Sequence, residues 1–206
     1  MHIHFTLLII LFSIFAQSVD LDFRFQEGYC HKKQRPGLNP DHFGECGNLS
    51  RSTLINKSFK ETNLKGANLG ASYIYRSHFS EGTLSNGSLR GSIVLESRFT
   101  ATQLNSVDFR GAQIKAVIFK GSSMKKLIAY GARFNKVQFI NCDLRGSSFW
   151  GANVQQTSFT NSDLRGVDLR NSYLLFSHFS GSQFDKATQL PFSEAEAVRR
   201  GMVKVD

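Results

Sequence analysis

Residues 139–169 read FINCDLRGSSFWGANVQQTSFTNSDLRGVDL, with a large apolar residue at every fifth place: Phe139, Leu144, Phe149, Val154, Phe159, Leu164 and Leu169. Followed outward, the series runs unbroken from Leu49 to Phe184 through twenty-eight positions, its weakest members being Met124 and Ala129. With 41% of the 206 residues hydrophobic, a chance run of that length arises on the order of once in 10¹¹ trials. A period of five fits neither a helix nor a strand, so it describes a coil whose corners recur every five residues. Two places before each apolar residue the chain is mostly small, as at Ala67, Ser92, Thr102, Ala132 and Ser162, and such residues can turn inward beside the large one. The remaining positions are mostly polar.

A longer period gives the number of sides. Phe59, Phe79, Phe99, Phe119, Phe139, Phe159 and Phe179 stand twenty residues apart, and so do Leu64, Leu84, Leu104, Met124, Leu144, Leu164 and Phe184. Four pentapeptides therefore make one turn, giving about seven coils and a rod of roughly 34 Å at the usual spacing between strands. At one repeat the volumes exchange: the undersized core residue Ala129 follows the oversized inner residue Leu127. Cys142 occupies the same inner position and reads as a small buried hydrophobe.

The segments Asn63-Leu64-Lys65-Gly66-Ala67-Asn68-Leu69, Cys142-Asp143-Leu144-Arg145-Gly146 and Asn161-Ser162-Asp163-Leu164-Arg165-Gly166 resemble the alanine-aspartate-leucine repeats of the pentapeptide-repeat family. The resemblance covers about two thirds of the chain and implies an all-β, right-handed, four-sided β-helix. It also raises the function of the family's best-understood members, a DNA-shaped inhibitor that protects a topoisomerase. Such mimicry asks for an acidic rod inside the cell, and this chain carries +9.

The flanks read differently. Phe5 to Phe15 is an apolar run of signal-peptide length, and Ala16-Gln17-Ser18 supplies small residues at a cleavage site, although the leading segment lacks Lys and Arg. Residues 1–18 are thus expected to direct export, to the periplasm or outside the cell, with no membrane span retained. Residues 19–48 form an N-terminal cap, 49–188 the β-helix, and 189–206 a C-terminal cap. Export makes Cys30 and Cys46 readable as a disulfide. The alternative groups Cys30, His31, His42 and Cys46 as a zinc site, but that spacing fits no zinc pattern. Ser193-Glu194-Ala195-Glu196 is a capping box that should start a short helix to about Arg200, with Gly201 as its stop.

No catalytic constellation, cofactor motif or metal motif stands out, and the expected function is non-enzymatic binding or scaffolding. Through Arg51 the N-terminal part carries five residues of each charge, and the C-terminal helix region three of each, so the rod itself holds the +9. One outward column contains Arg90, Arg110, Tyr130, Trp150 and Arg170, beside Arg145 and Arg165 on the next face. These form a candidate binding strip for an anionic or sugar-bearing partner such as an envelope polymer, though Asp108/Arg110, Asp143/Arg145, Asp163/Arg165 and Asp168/Arg170 are expected to pair with each other. An extracytoplasmic nucleic acid is the other anionic partner the strip would suit. A third face shows Tyr73 and Tyr75 near one end and Tyr173 and Phe176 near the other, candidates for contact with a protein. A homodimer would form through an end or through such an apolar face.

Overall fold

The computed structural model describes residues 47–206. The expected leader, all but the last two residues of the expected N-terminal cap, and both Cys30 and Cys46 lie outside those residues. What is described is a solenoid of parallel strands. The first strands are β1 (Thr53–Ile55), β2 (Ser58–Lys60), β3 (Tyr73–Tyr75), β4 (His78–Ser80), β5 (Ile93–Leu95) and β6 (Arg98–Thr100). They continue as β7 (Gln113–Lys115), β8 (Ile118–Lys120), β9 (Arg133–Asn135), β10 (Gln138–Ile140), β11 (Asn153–Gln155) and β12 (Ser158–Thr160). Odd-numbered strands stack into one six-stranded sheet and even-numbered strands into another, always in a register of twenty residues, as in Leu54↔Ile74 and Phe119↔Phe139. The other two sides are held by single bridges in the same register, such as Asn68↔Ser88 and Asp143↔Asp163. Four sides follow from this, named here by their core columns. The first face begins at Leu49, the second at Leu54, the third at Phe59 and the fourth at Leu64.

The inward columns fill the bore completely. Every core position from Leu49 to Leu169 is buried, and Leu127 and Ala129 are both buried at the repeat where their sizes exchange. On the third face the Phe rings stack coil upon coil, with centroids 4.5 Å apart for Phe59 and Phe79 and 5.2 Å for Phe159 and Phe179, and planes only 4° and 2° apart. The strand spacing itself imposes that stacking, because a ring in the same rotamer on every coil has its copy about 4.8 Å away.

The four corners are built in two ways. After the first and fourth faces, the chain closes a turn with an i→i+3 bond, such as Ser52 N–H donating to the Leu49 carbonyl and Ala67 N–H to that of Leu64. The third turn residue has positive φ, 73° at Gly66 and 66° at Gly111, which Gly meets without the Cβ penalty. After the second and third faces, small hydroxyl residues join one coil to the previous one. Ser77 Oγ donates to the Leu54 carbonyl and accepts from Lys57 N–H; Ser162 Oγ donates to the Phe139 carbonyl and accepts from Cys142 N–H at 3.1 Å. Cys142 holds one slot of this ladder, its Sγ directed at the Phe119 carbonyl, and burial pushes its thiol up to about 11.

Seven complete coils lead into a partial eighth. Asp168 bridges Gln189 across twenty-one residues instead of twenty, because the loop at Asp185 to Thr188 inserts one residue and is tied down by Thr188 Oγ1 donating to the Leu164 carbonyl. The strand β13 (Gln183–Phe184) precedes helix α1 (Glu194–Arg199), and β14 (Val203–Lys204) returns to pair with β13. Ser193 caps α1, accepting from Glu196 N–H, and Gly201 at φ 89° ends it. The predicted cap is therefore more than a helix: β14 also covers part of the last coil's open edge.

Candidate binding faces of the rod

The residues of the candidate strip on the first face follow one another in the register of twenty. Tyr130 and Trp150 stack with centroids 5.0 Å apart and planes 16° apart, and both rings are exposed. The arginines around them are engaged elsewhere. Arg110 grips Asp108, with Nη2 2.6 Å from Oδ2, and Arg90 approaches the same carboxylate at 3.9 Å. Arg170 holds Asp168 at 2.9 Å. On the fourth face Arg145 lies 2.7 Å from Asp143 and 3.4 Å from Asp163, Arg165 lies 2.6 Å from Asp163, and Lys125 lies 3.3 Å from Asp143. Each Asp stands two residues before its Arg, so one corner puts both on the same side of the coil.

These pairs shape the acids' titration. Partial burial pushes Asp108, Asp143 and Asp163 up, but the hydrogen bonds and charge of Arg110, Arg145 and Arg165 outweigh it and hold all three below the usual carboxylate range. At Asp168 the hydrogen bond from Arg170 is itself the largest influence, and again the carboxyl is depressed. The positive charge on these faces is thus largely neutralised within the molecule.

The aromatic groups named for protein contact lie at the two ends of the second face. Tyr73 and Tyr75 have centroids 6.3 Å apart, and the Arg76 guanidinium sits over the Tyr75 ring at 4.7 Å. At the other end Tyr173, Leu175 and Phe176 are exposed, Phe176 by 67%. The middle of that face was not singled out from the sequence. Strands β7, β9 and β11 turn outward Gln113, Lys115, Arg133, Asn135, Asn153 and Gln155. Their side chains have no hydrogen-bond or ion-pair partner among the described residues, and neither has Lys136 at the adjoining corner. The signal was present in the sequence: between Asp108 and Asp143 there is no Asp or Glu, while Lys115, Lys120, Lys125, Lys126, Arg133 and Lys136 all fall there. Read along the chain these residues look scattered, and only the register of twenty brings some of them to one face.

Below this region, at the corner with the third face, lies a shallow groove of about 540 Å³ lined by His78, Arg98, Ile118 and the Arg76–Glu96 pair, whose N–O distance is 2.8 Å. His78 and His178 both lie on the third face, five coils apart. Among the described residues no three His, Cys, Asp or Glu side chains converge, and no helix is long and apolar enough to cross a membrane.

Comparison with known proteins bears on the repeat. The family model described as Pentapeptide repeats matches in eight copies, over residues 130–161. No curated protein matches the chain. Among solved structures, the chain is similar to a pentapeptide repeat protein from the Arabidopsis thaliana thylakoid lumen, at 25% identity over 53% of this chain and 74% of that one, with a TM-score of 0.47. It is also similar to QnrB1, a plasmid-mediated fluoroquinolone resistance protein, at 20% identity over 77% and 83% of the two chains, with a TM-score of 0.36. A third is HetL of Nostoc sp. strain PCC 7120, involved in heterocyst differentiation regulation, at 16% identity over 66% and 86%, with a TM-score of 0.30. With its unbroken five-residue period, its register of twenty and the repeat model matching residues 130–161, this chain is a solenoid of pentapeptide repeats.

Proposed function

We propose that the chain is an exported, non-enzymatic binding protein or scaffold that presents rigid faces of the rod to a protein or anionic envelope partner. The observation that carries this reading is the set of large apolar side chains, Tyr130, Trp150, Tyr173, Leu175 and Phe176, exposed on the solenoid. Each coil is hydrogen-bonded to the next, so these groups are held in fixed register and lose little freedom on meeting a partner. Aromatic side chains so placed are characteristic anchors of an interface. The leader from Phe5 to Ser18 supports export.

Affinity capture from an envelope extract tests the reading. Replacing Arg90, Arg110, Trp150 and Arg170 by Ala should release first-face partners, and replacing Tyr73, Tyr75, Tyr173 and Phe176 should release second-face partners. A set of captured molecules unchanged by both would overturn it. Export predicts that the mature protein begins at Val19, readable by N-terminal sequencing. It also predicts one free thiol in the unfolded protein, Cys142; three would remove the Cys30–Cys46 disulfide. A topoisomerase inhibitor shaped like DNA is disfavoured by the rod's net positive charge. Binding to nucleic acid outside the cytoplasm is the remaining rival, and affinity falling steeply with salt for a DNA probe would support it.

A further inference from the structure

We propose that the second face binds a linear acidic polysaccharide lying along the axis of the rod, an inference that rests on the binding reading above and names its partner chemistry. Lys115 and Arg133 stand diagonally across β7 and β9, where Gln113 pairs with Arg133 and Lys115 with Asn135, and Lys136 adjoins them at the corner. From the fourth coil onward neither the second nor the third face carries an Asp or Glu. The positive charge here is therefore uncompensated, unlike that of the first and fourth faces.

Four observations select the ligand class. First, the cations alternate with amides: Gln113, Asn135, Asn153 and Gln155 each offer a donor and an acceptor with no internal partner. Sugar hydroxyls use both functions, whereas carboxylate or sulfate groups take the Lys and Arg. Second, the middle of the face has no aromatic side chain on which nucleobases could stack, the usual requirement of single-stranded nucleic acid. Third, Tyr73 and Tyr75 on the second coil and Tyr173 and Phe176 on the seventh bracket the polar stretch, five coils or roughly 24 Å apart. They provide apolar surface for the C–H faces of sugar rings at both ends of a polymer segment.

The fourth is the cost at which the corner column is kept. Its residues Arg76, Glu96, Ala116, Lys136, Gln156 and Phe176 all have positive φ, from 47° to 55°, yet none is Gly. A left-handed residue other than Gly costs about 1 kcal/mol or more. The corner after the first face, a hydrogen-bonded turn that also has positive φ, has Gly at 91, 111, 131 and 151, with Arg51, Ala71 and Asn171 at its ends. Side chains retained beside the second face against that preference extend its reach, with Lys136 and Gln156 next to the polar stretch and Phe176 at its end.

Binding to immobilised polygalacturonate and dextran sulfate, with neutral dextran as the control, is the experiment. Both acidic polymers should bind and neutral dextran should not. The variant Lys115→Gln/Arg133→Gln/Lys136→Gln should weaken binding on the order of tenfold or more. The charge-matched variant Lys65→Gln/Lys126→Gln/Lys186→Gln should change it less than about threefold, and Tyr73→Ala/Tyr173→Ala should weaken it without altering the salt dependence. Urea unfolding midpoints confirm that each variant is folded. Equal losses in the two triple variants would overturn the proposal by showing only a diffuse field. Stronger binding to single-stranded DNA, or to vesicles of phosphatidylglycerol and phosphatidylcholine, would overturn it in favour of those partners. Loss on Arg110→Gln/Arg170→Gln instead would move the site to the first face and leave the general binding function standing. No binding to any of these probes would also overturn it, while a protein captured through Trp150 or Phe176 would still support the broader function.

Discussion

The first and fourth faces differ from the second in how they spend their polar groups. On the former, Asp108, Asp143, Asp163 and Asp168 each close a hydrogen-bonded pair with the Arg two residues later, and about half of the left-handed corner positions are Gly. On the second face the cations and amides of the middle coils have no partner among the described residues, and its corner has no Gly at all. Both sides share one core and one coil register, although the second face is a continuous sheet and the other two are joined by single bridges. A repeat that must only stack satisfies itself; a face that must meet something else keeps its groups free.

The largest expected effect is a test of what the faces share. Phe119 stacks on Phe99 at 4.9 Å and on Phe139 at 5.1 Å, and Phe119→Ala should lose about 3–5 kcal/mol in urea unfolding. If the solenoid unzips coil by coil, the loss will appear as a broadened transition. At the repeat where volumes exchange, Leu127→Ala alone should cost about 2–5 kcal/mol, and Leu127→Ala/Ala129→Leu should recover part of that. A double variant no better than the single would mean that the two corners pack independently.

Next in size is the hydroxyl ladder, found among the described residues at the corners after the second and third faces and at Ser147. Ser162→Ala would leave Cys142 N–H, at a fully inward position, without its acceptor and should cost about 1–3 kcal/mol. Ser148→Ala on the first face, where the hydroxyl meets only Trp150 N–H at a long 3.4 Å, should change stability by less than about 0.5 kcal/mol. Similar losses at the two sites would remove the distinction between corner types.

The core columns, the four sides, the capped helix and the Asp–Arg pairs were all legible, because each depends on a short, fixed sequence offset. The strand β14 was not. It returns to Gln183 and Phe184 in the register of twenty, but only after the helix has interrupted the five-residue pattern, so no local pattern announces it. The second-face site was half legible: its aromatic ends stood out by type, whereas Lys115, Arg133 and Lys136 are unremarkable until the stacking places them together. Their lack of partners is a property of neighbours twenty residues away.

Acid should separate the faces further. The folded-state pKa values of Asp108, Asp143, Asp163 and Asp168 lie below their unfolded values. Their contribution to stability is therefore present above about pH 4 and is lost as pH falls through the depressed values. Replacing all four by Asn should flatten the loss of stability below about pH 4, measured by thermal unfolding across pH. Polysaccharide binding on the second face should follow the titration of the ligand's carboxylates instead, and dextran sulfate, charged throughout, should bind the folded rod with little change over the same interval.

The smallest effect on stability carries the sharpest contrast. Lys136 has φ 55° and an exposed side chain with no partner among the described residues. Lys136→Gly relieves the left-handed backbone in the folded chain while giving the unfolded chain more freedom, and the two opposing terms are each of order 1 kcal/mol or less. The unfolding midpoint should therefore barely move. If Lys136 is retained for a ligand, the same substitution should still lower affinity for dextran sulfate severalfold, as should Lys136→Gln, which keeps a polar side chain but removes its charge. A marked loss of stability with affinity intact would make the corner a structural requirement, and the absence of Gly along that column would then have to be explained by packing.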